Sequence, residues 1–507
     1  MKNINKKNFI FSRFIIMACI VFTVACEEDA SDEHYEQLDS RLENNLLSVL
    51  SADQEYSTFV TLLEQTGYSD VLETPQAYTV WAPNNTALAQ VPDMVLNDPD
   101  LLKQLIGNHI SRFTYNSSIG EDPVFVKMLN NKYIEFSNDA TRVSFGGIEV
   151  IEKDLLAANG ILHTVTDVLT VKANIWDHLN ENTDQFPVMM DYLSEFNSTV
   201  FDEVNSVKIG TNTLGQTVYD SIYSSSNSFF KTIGDLSSEE KRFTFIGLTD
   251  NAYADTYNVY KDYYQYPVED SIKYNVDKVI FSNINFPLVN LEDLNGTKVL
   301  NTVDNEVVID PNTVVEDVSL SNGNLFVVNQ LDYNPKDVVY KPIRYEIENA
   351  QRREIGSLTD LIILDQYSAS ASGNFTNIVA LLENPAVDES NNYFEIAFSN
   401  VLSSSYTIHL KFSAIGASQD TQLKFELSYV DENKNTIVNQ IPPTVVSKDE
   451  DGIVQIGGTY NFPVYINAEN NNDFFVKLKV IVAVSEPELF IYDRVFGIDY
   501  AELRPTE

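Results

Sequence analysis

The sequence predicts a multidomain protein, two α+β domains in tandem followed by an all-β sandwich of jelly-roll-like form. Three observations predict it. A strand-and-turn landmark and an Asn-Gly landmark each recur after about 165 residues, which marks an internal repeat. Apolar residues at helical spacing dominate the first two thirds, and strict alternation of apolar and polar residues dominates the last third. At 507 residues the chain is also too long for a single core.

The front end reads as a targeting segment. Lys2, Lys6 and Lys7 precede an apolar run from Phe14 to Ala25, too short to span a bilayer. The run ends Thr23-Val24-Ala25-Cys26 and meets Glu27-Glu28-Asp29 at once. A small residue before a cysteine resembles the bacterial lipoprotein signal, in which that cysteine, here Cys26, is lipidated after cleavage. The acidic run behind it resembles the surface-export signal of lipoproteins of the Bacteroidota. Residues 1–25 are therefore expected to be a signal peptide and 26–43 a polar, acidic tether. The two cysteines, Cys19 and Cys26, both sit in this region, so no disulfide is expected in the mature chain.

The first folded domain is expected over 44–171. Phe59, Leu62 and Leu63 fall at helical spacing, then Tyr78 to Ala82 reads as a buried strand ended by Pro83 and the turn formers Asn84-Asn85. Leu101 to Ile110 returns to helical spacing, and short strand candidates follow at Tyr133–Phe136, Arg142–Phe145 and Ile148–Ile151. Asn159-Gly160 then turns the chain into the apolar strand Ile161–Val165. These pieces resemble the fasciclin (FAS1) family through Thr79, Ala82, Pro83, Asn85 and Ala87, through Asn108-His109, and through Asn159-Gly160, His163, Val165 and Asp167. The chain departs from that pattern at Trp81, Asn84 and Leu88. The resemblance implies an α+β module used in adhesion and extracellular binding, without a general catalytic centre. Thr79, Pro83, Asn85, His109, Asn159, Gly160 and His163 are its structural signature.

A degenerate second copy is expected over 172–338. Met189, Tyr192 and Leu193 repeat the helical spacing, Phe243–Ala252 repeats the strand and turn, and Asn322-Gly323 repeats the Asn-Gly corner. Leu248 replaces the proline and Phe326 the second histidine, and an insertion is expected around Ser206 to Glu239. Residues 339–507 read as the sandwich, with alternating runs such as Tyr393–Phe398, Tyr406–Phe412, Leu423–Tyr429 and Phe474–Val480. Its ends, Tyr345–Ala350 and Phe496–Pro505, resemble the first and last strands of jelly-roll modules related to carbohydrate-binding domains.

Charge narrows the function. With 74 acidic against 33 basic side chains the formal net charge is -41, which repels phosphate backbones and anionic lipid and argues against nucleic-acid binding. Membrane association is expected through the lipid anchor only. The five histidines form no paired metal motif, no nucleophile elbow or phosphate cradle is present, and no catalytic or metal residues are expected. Acidic turns at Asp431-Glu432-Asn433 and Asp449-Glu450-Asp451 offer oxygen ligands of the kind calcium takes but lack EF-hand spacing, so no cofactor is expected and calcium stays an unsupported alternative. His109 and His163 are read as anchors of buried hydrogen-bond networks, with partner binding as the functional alternative. Tyr257, Tyr260, Tyr263 and Tyr264 crowd a polar segment and are the candidate sugar-stacking face, against the alternative that they pack inward from a helix.

The expectation is a non-enzymatic, surface-exposed lipoprotein of the cell outer membrane. Its partner would be an extracellular glycan or a surface protein, as an accessory to polysaccharide capture. The alternatives are an extracellular polysaccharide-acting hydrolase and a structural partner in an outer-membrane complex.

Overall fold

The strands Tyr78–Pro83 and Gly160–Val165 lie side by side and parallel in the first unit, paired residue for residue from Tyr78↔Gly160 to Pro83↔Val165. Every residue of both is buried, which is why they read as continuous apolar runs instead of alternating ones. They are the second and third strands of a seven-stranded sheet. Ile110–Arg112 closes it beside Tyr78–Pro83, and Ile148–Ala157, Arg142–Phe145, Tyr133–Asp139 and Val124–Lys127 extend it antiparallel beyond Gly160–Val165. The structure is a computed structural model. It describes residues 43–506 except 119–122, 140, 204–205, 221–222, 295, 383–390 and 468–474. Cys26, the expected leader over 1–25 and the tether up to residue 42 lie outside the described residues.

Helices cover one side of the central pair. Ser57–Thr66 buries Phe59, Leu62 and Leu63 at the expected spacing and stops at Gly67, whose left-handed backbone (φ 76°) suits a helix end. Pro99–Gly107 starts on the Asp98 cap with proline in its first turn and buries Leu102, Leu105 and Ile106. These side chains pack with Leu46, Leu50, Val80, Ala82 and Leu162 in one core. A second core of Trp81, Phe136, Phe145, Val150 and Val165 includes alternate residues of the same two strands.

The chain divides at Ala173/Asn174 into two compact units. The second unit repeats the first one's centre. Phe243–Leu248 runs parallel to Gly323–Val328 with register Phe243↔Gly323 to Leu248↔Val328, flanked by Asn285–Pro287 and Val314–Leu320. The corner is built identically in both copies. The Asn159 carboxamide accepts from Leu46 N–H and donates to Leu72 O, while that of Asn322 accepts from Ile175 N–H and donates to Leu236 O. Gly160 and Gly323 adopt φ of 153° and 145°, and an added Cβ would fall 1.9 Å from Tyr78 O and 1.8 Å from Phe243 O. Thr79 and Thr244 match too: each hydroxyl donates to a carbonyl (Phe113, Val289) and accepts a backbone N–H (Tyr115, Val289).

The insertion lies earlier than the expected Ser206 to Glu239. Its strands run from Asn197 to Asn227 as a two-part β-ribbon. Asn197–Phe201 pairs with Tyr223–Asn227, and Val207–Thr211 with Thr217–Asp220. Its strands are almost wholly exposed. With no buried face they lack the alternation that marks a half-buried strand.

The rest of the second unit is a sandwich of two antiparallel sheets. One runs Leu361–Tyr367, Phe375–Leu381, Val495–Pro505, Ser405–Ser413, Ile453–Asn461, with Ile343–Glu346 also on Val495–Pro505. The other runs Arg353–Ile355, Tyr393–Phe398, Val476–Val482, Thr421–Val430, Thr436–Val446. First and last strands pair at Tyr345↔Ala501, although the first strand stops at Glu346 and the chain turns before Ala350. Alternate burial along Ser405–Ser413 and Thr421–Val430 matches the period-two pattern.

Gly160→Ala or Gly323→Ala should each cost about 3 kcal/mol through backbone overlap and strain. Gly458→Ala, where a Cβ meets nothing within 4 Å, should cost less than ~0.5 kcal/mol. Urea denaturation followed by tryptophan emission checks this, because Trp81 reports the first unit and Trp176 the second.

Candidate functional site

The signature residues of the first unit hold its fold together. Pro83 ends the central strand, and Asn84 caps the following turn through Ala87 N–H. Asn85 donates to Gln54 O and accepts from Thr58 N–H, tying that turn to the helical layer. His109 is fully buried. Its Nδ1 donates to Leu105 O at 2.9 Å and its Nε2 accepts from Leu169 N–H at 3.0 Å, so both nitrogens of a neutral ring are used. His163 is equally buried, with Nε2 donating to Tyr115 O and Nδ1 accepting from Asp154 N–H. It stacks on Trp81 with centroids 5.6 Å apart, and Trp81 stacks on Phe145 at 4.4 Å. Burial holds His109 down at about 4 and depresses His163 in the same direction. The second copy puts Phe326 opposite Ile246 where the first puts His163 opposite Trp81.

The four candidate tyrosines do not form a sugar-stacking face. Tyr260 and Tyr264 are only 2% and 5% exposed, and burial pushes both phenols up. Tyr264 meets Tyr465 of the sandwich edge-on at 4.8 Å, and Tyr263 lies against Tyr340 at 5.4 Å, itself packed on Tyr406. Backbone bonds close the seam: Ser403 N–H to Tyr263 O, and Tyr465 N–H to Gln265 O. Tyr257 is half-buried beside Tyr253, whose hydroxyl donates to Asp277. Helical spacing turns these rings inward, and they join the second repeat to the sandwich in one continuous core.

The acidic turns are committed as well. Asp431 accepts from the N–H groups of Asn433 and Asn435, and Asp451 pairs with Lys411. The sandwich carboxylates gather at Ser372, whose hydroxyl faces both Glu346 and the fully buried Asp499. No described group of three or more His, Cys, Asp or Glu is arranged to hold a metal ion.

Sequence reading missed an open groove of about 640 Å³ in the second repeat. The helix Ile175–Glu181 forms one wall. Asn174 caps it through Asp177 N–H, Ile175 and Leu179 point to the core, and Asp177 and Asn180 share the exposed side. Trp176, 9% exposed, meets Phe230 edge-on at 5.1 Å and supplies an apolar floor. The other wall is the base of the ribbon, where Asn227 donates to Asn197 Oδ1 and to Leu193 O, together with Ser225. Lys231 and Asp235 complete the rim, with Asp235 held by Ser237 N–H and hydroxyl. The lining thus combines amides, hydroxyls and two carboxylates with one aromatic pair, and includes no histidine or cysteine. Such a groove can hydrogen-bond a hydroxyl-rich ligand and cover an apolar ring face. The available signal was the Ser/Asn-rich stretch Ser224–Ser228. Its partner wall lies about 50 residues earlier, which no local pattern shows.

Within the first unit, residues 54–171 match the Fasciclin domain family model. Transforming growth factor-beta-induced protein ig-h3 of Sus scrofa is 23% identical over 163 residues, covering 29% of this chain and 24% of that protein. The chain thus spans about a quarter of that relative's length. An uncharacterised Synechocystis protein is 27% identical over 139 residues, 25% of this chain and 96% of that one. Among solved structures, a FAS1 domain pair from the insect cell adhesion molecule fasciclin I aligns at 16% identity. It covers 56% of this chain and 99% of that one with a TM-score of 0.24. A CBM22-1 xylan-binding domain from Paenibacillus barcinonensis aligns at 12% identity over 32% of this chain and 94% of its own, also at 0.24.

A pH dependence follows from the buried histidines. Each is neutral when folded and takes up a proton more readily when unfolded, so the stabilisation is complete above pH 6.5 and is lost as pH falls toward 4. For His109 the loss should reach about 3 kcal/mol. Urea titrations at stepped pH check this, and His109→Gln should flatten the profile while lowering stability at neutral pH.

Proposed function

We propose that this protein is a non-catalytic cell-surface lipoprotein that binds neutral glycan through the groove of its second repeat. It is held at the outer membrane by lipid on Cys26. The polar groove with its Trp176–Phe230 floor is the observation that carries this reading. The fasciclin domain supports an adhesive role, and the net charge of -41 disfavours anionic partners such as nucleic acid. The signal peptide over 1–25 and the tether over 26–43 would deliver and extend the folded units. A lipid-anchored array gains avidity, so each contact can be weak.

A Trp81→Phe background leaves Trp176 as the single tryptophan and gives a direct readout. Neutral polysaccharides should shift its emission, and Asp177→Ala with Asn180→Ala should weaken binding about tenfold or more. Tyr264→Ala should lower stability while leaving binding intact. Recovered polysaccharide should be unchanged in length; new reducing ends would establish hydrolysis instead.

Localisation is tested separately. Cys26→Ala should move the protein from the membrane fraction to the soluble one, and unchanged attachment would refute the anchor.

A further inference from the structure

The ribbon's aromatic cluster lies on the same face that walls the groove. In the antiparallel pair Asn197–Phe201 with Tyr223–Asn227, the couples Asn197↔Asn227, Thr199↔Ser225 and Phe201↔Tyr223 occupy alternate positions and so share one face. Asn197, Asn227 and Ser225 line the groove. Four residues further along the strand, about 14 Å at an extended rise, Phe201 and Tyr223 stand edge-on at 6.0 Å. Tyr219 meets Phe201 edge-on at 5.2 Å. Phe201 is 37% and Tyr223 61% exposed. The Tyr219 hydroxyl donates to Glu203, which fixes the third ring.

We infer that groove and ribbon form one track for an extended stretch of neutral polysaccharide. Sugar hydroxyls would sit among the amides and carboxylates of the groove, and a sugar several units away would stack on the Phe201–Tyr223–Tyr219 cluster. The inference rests on the glycan reading above and adds ligand length to it. Charge favours a neutral chain, because the groove carries Asp177 and Asp235 against Lys231 and the ribbon carries Asp202, Glu203 and Asp220 against Lys208. Apolar ring faces exposed on a ribbon with no core beneath them suit the C–H face of a pyranose, which needs no counter-charge. Thr199, paired with Ser225 of the groove and lying between groove and cluster, keeps the intervening surface able to hydrogen-bond hydroxyls.

The test is a titration of the purified full chain with xylo-, cello- and laminari-oligosaccharides from the disaccharide to the hexasaccharide. Affinity for the bound series should rise with length. Phe201→Ala with Tyr223→Ala should lose about tenfold on the hexasaccharide and nothing on the disaccharide. Phe201→Tyr should retain the gain. Both positions are exposed, so circular dichroism should show an unchanged fold. Disaccharide binding with no gain in length, or a double variant equal to wild type on the hexasaccharide, overturns the track and leaves the groove. Absence of binding to every oligosaccharide and to polymeric glucan and xylan overturns the track and the glycan reading together.

Discussion

The Asn-Gly corner is the constraint on which both α+β repeats depend. A carboxamide bonds the first N–H of the first helix, and the next residue brings its strand so close to its neighbour's carbonyl that no side chain fits. Helical layer and central strand pair are thereby fixed in one step. Glycine's freedom is needed here twice over, for the positive φ and for the missing Cβ. Once the corner is set, the rest of the core tolerates exchange: Trp81 and His163 in one copy are Ile246 and Phe326 in the other.

That tolerance has limits set by polarity. A buried imidazole needs partners for both nitrogens, and the first unit provides them for His109 and His163 from backbone groups. Phe326, the apolar replacement for His163 in the second copy, removes the need for such partners there. The ribbon enters that copy between the helix Pro187–Ser194 and the strand Phe243–Leu248. Asn227 anchors its base through Leu193 O, so four nearly bare strands are accommodated without opening the core.

Much of the fold was legible in the sequence, for reasons of periodicity. Phe59, Leu62 and Leu63 face one core because helical spacing puts them there, and the alternation in Thr421–Val430 survives in its burial. The corner was legible because Asn-Gly has few substitutes. The site was not. Tyr257, Tyr260, Tyr263 and Tyr264 suggested a platform because exposure cannot be read from residue type; Tyr263 and Tyr264 pack into the seam with the sandwich, and Tyr260 is buried. Asp177, Asn180, Asn197 and Ser225 are ordinary surface residues one by one, and they become a groove only when a helix and a ribbon base are brought together.

The tyrosine seam changes how force passes through the second unit. Tyr264 on Tyr465, Tyr263 on Tyr340 and the two backbone bonds to Ser403 and Tyr465 bridge the repeat and the sandwich directly, in parallel with the covalent chain. A pull applied to the sandwich is therefore borne by these rings and backbone bonds as well as by the covalent chain. The seam is thus a mechanical coupling: the repeat and the sandwich part only when these rings and the two backbone bonds separate.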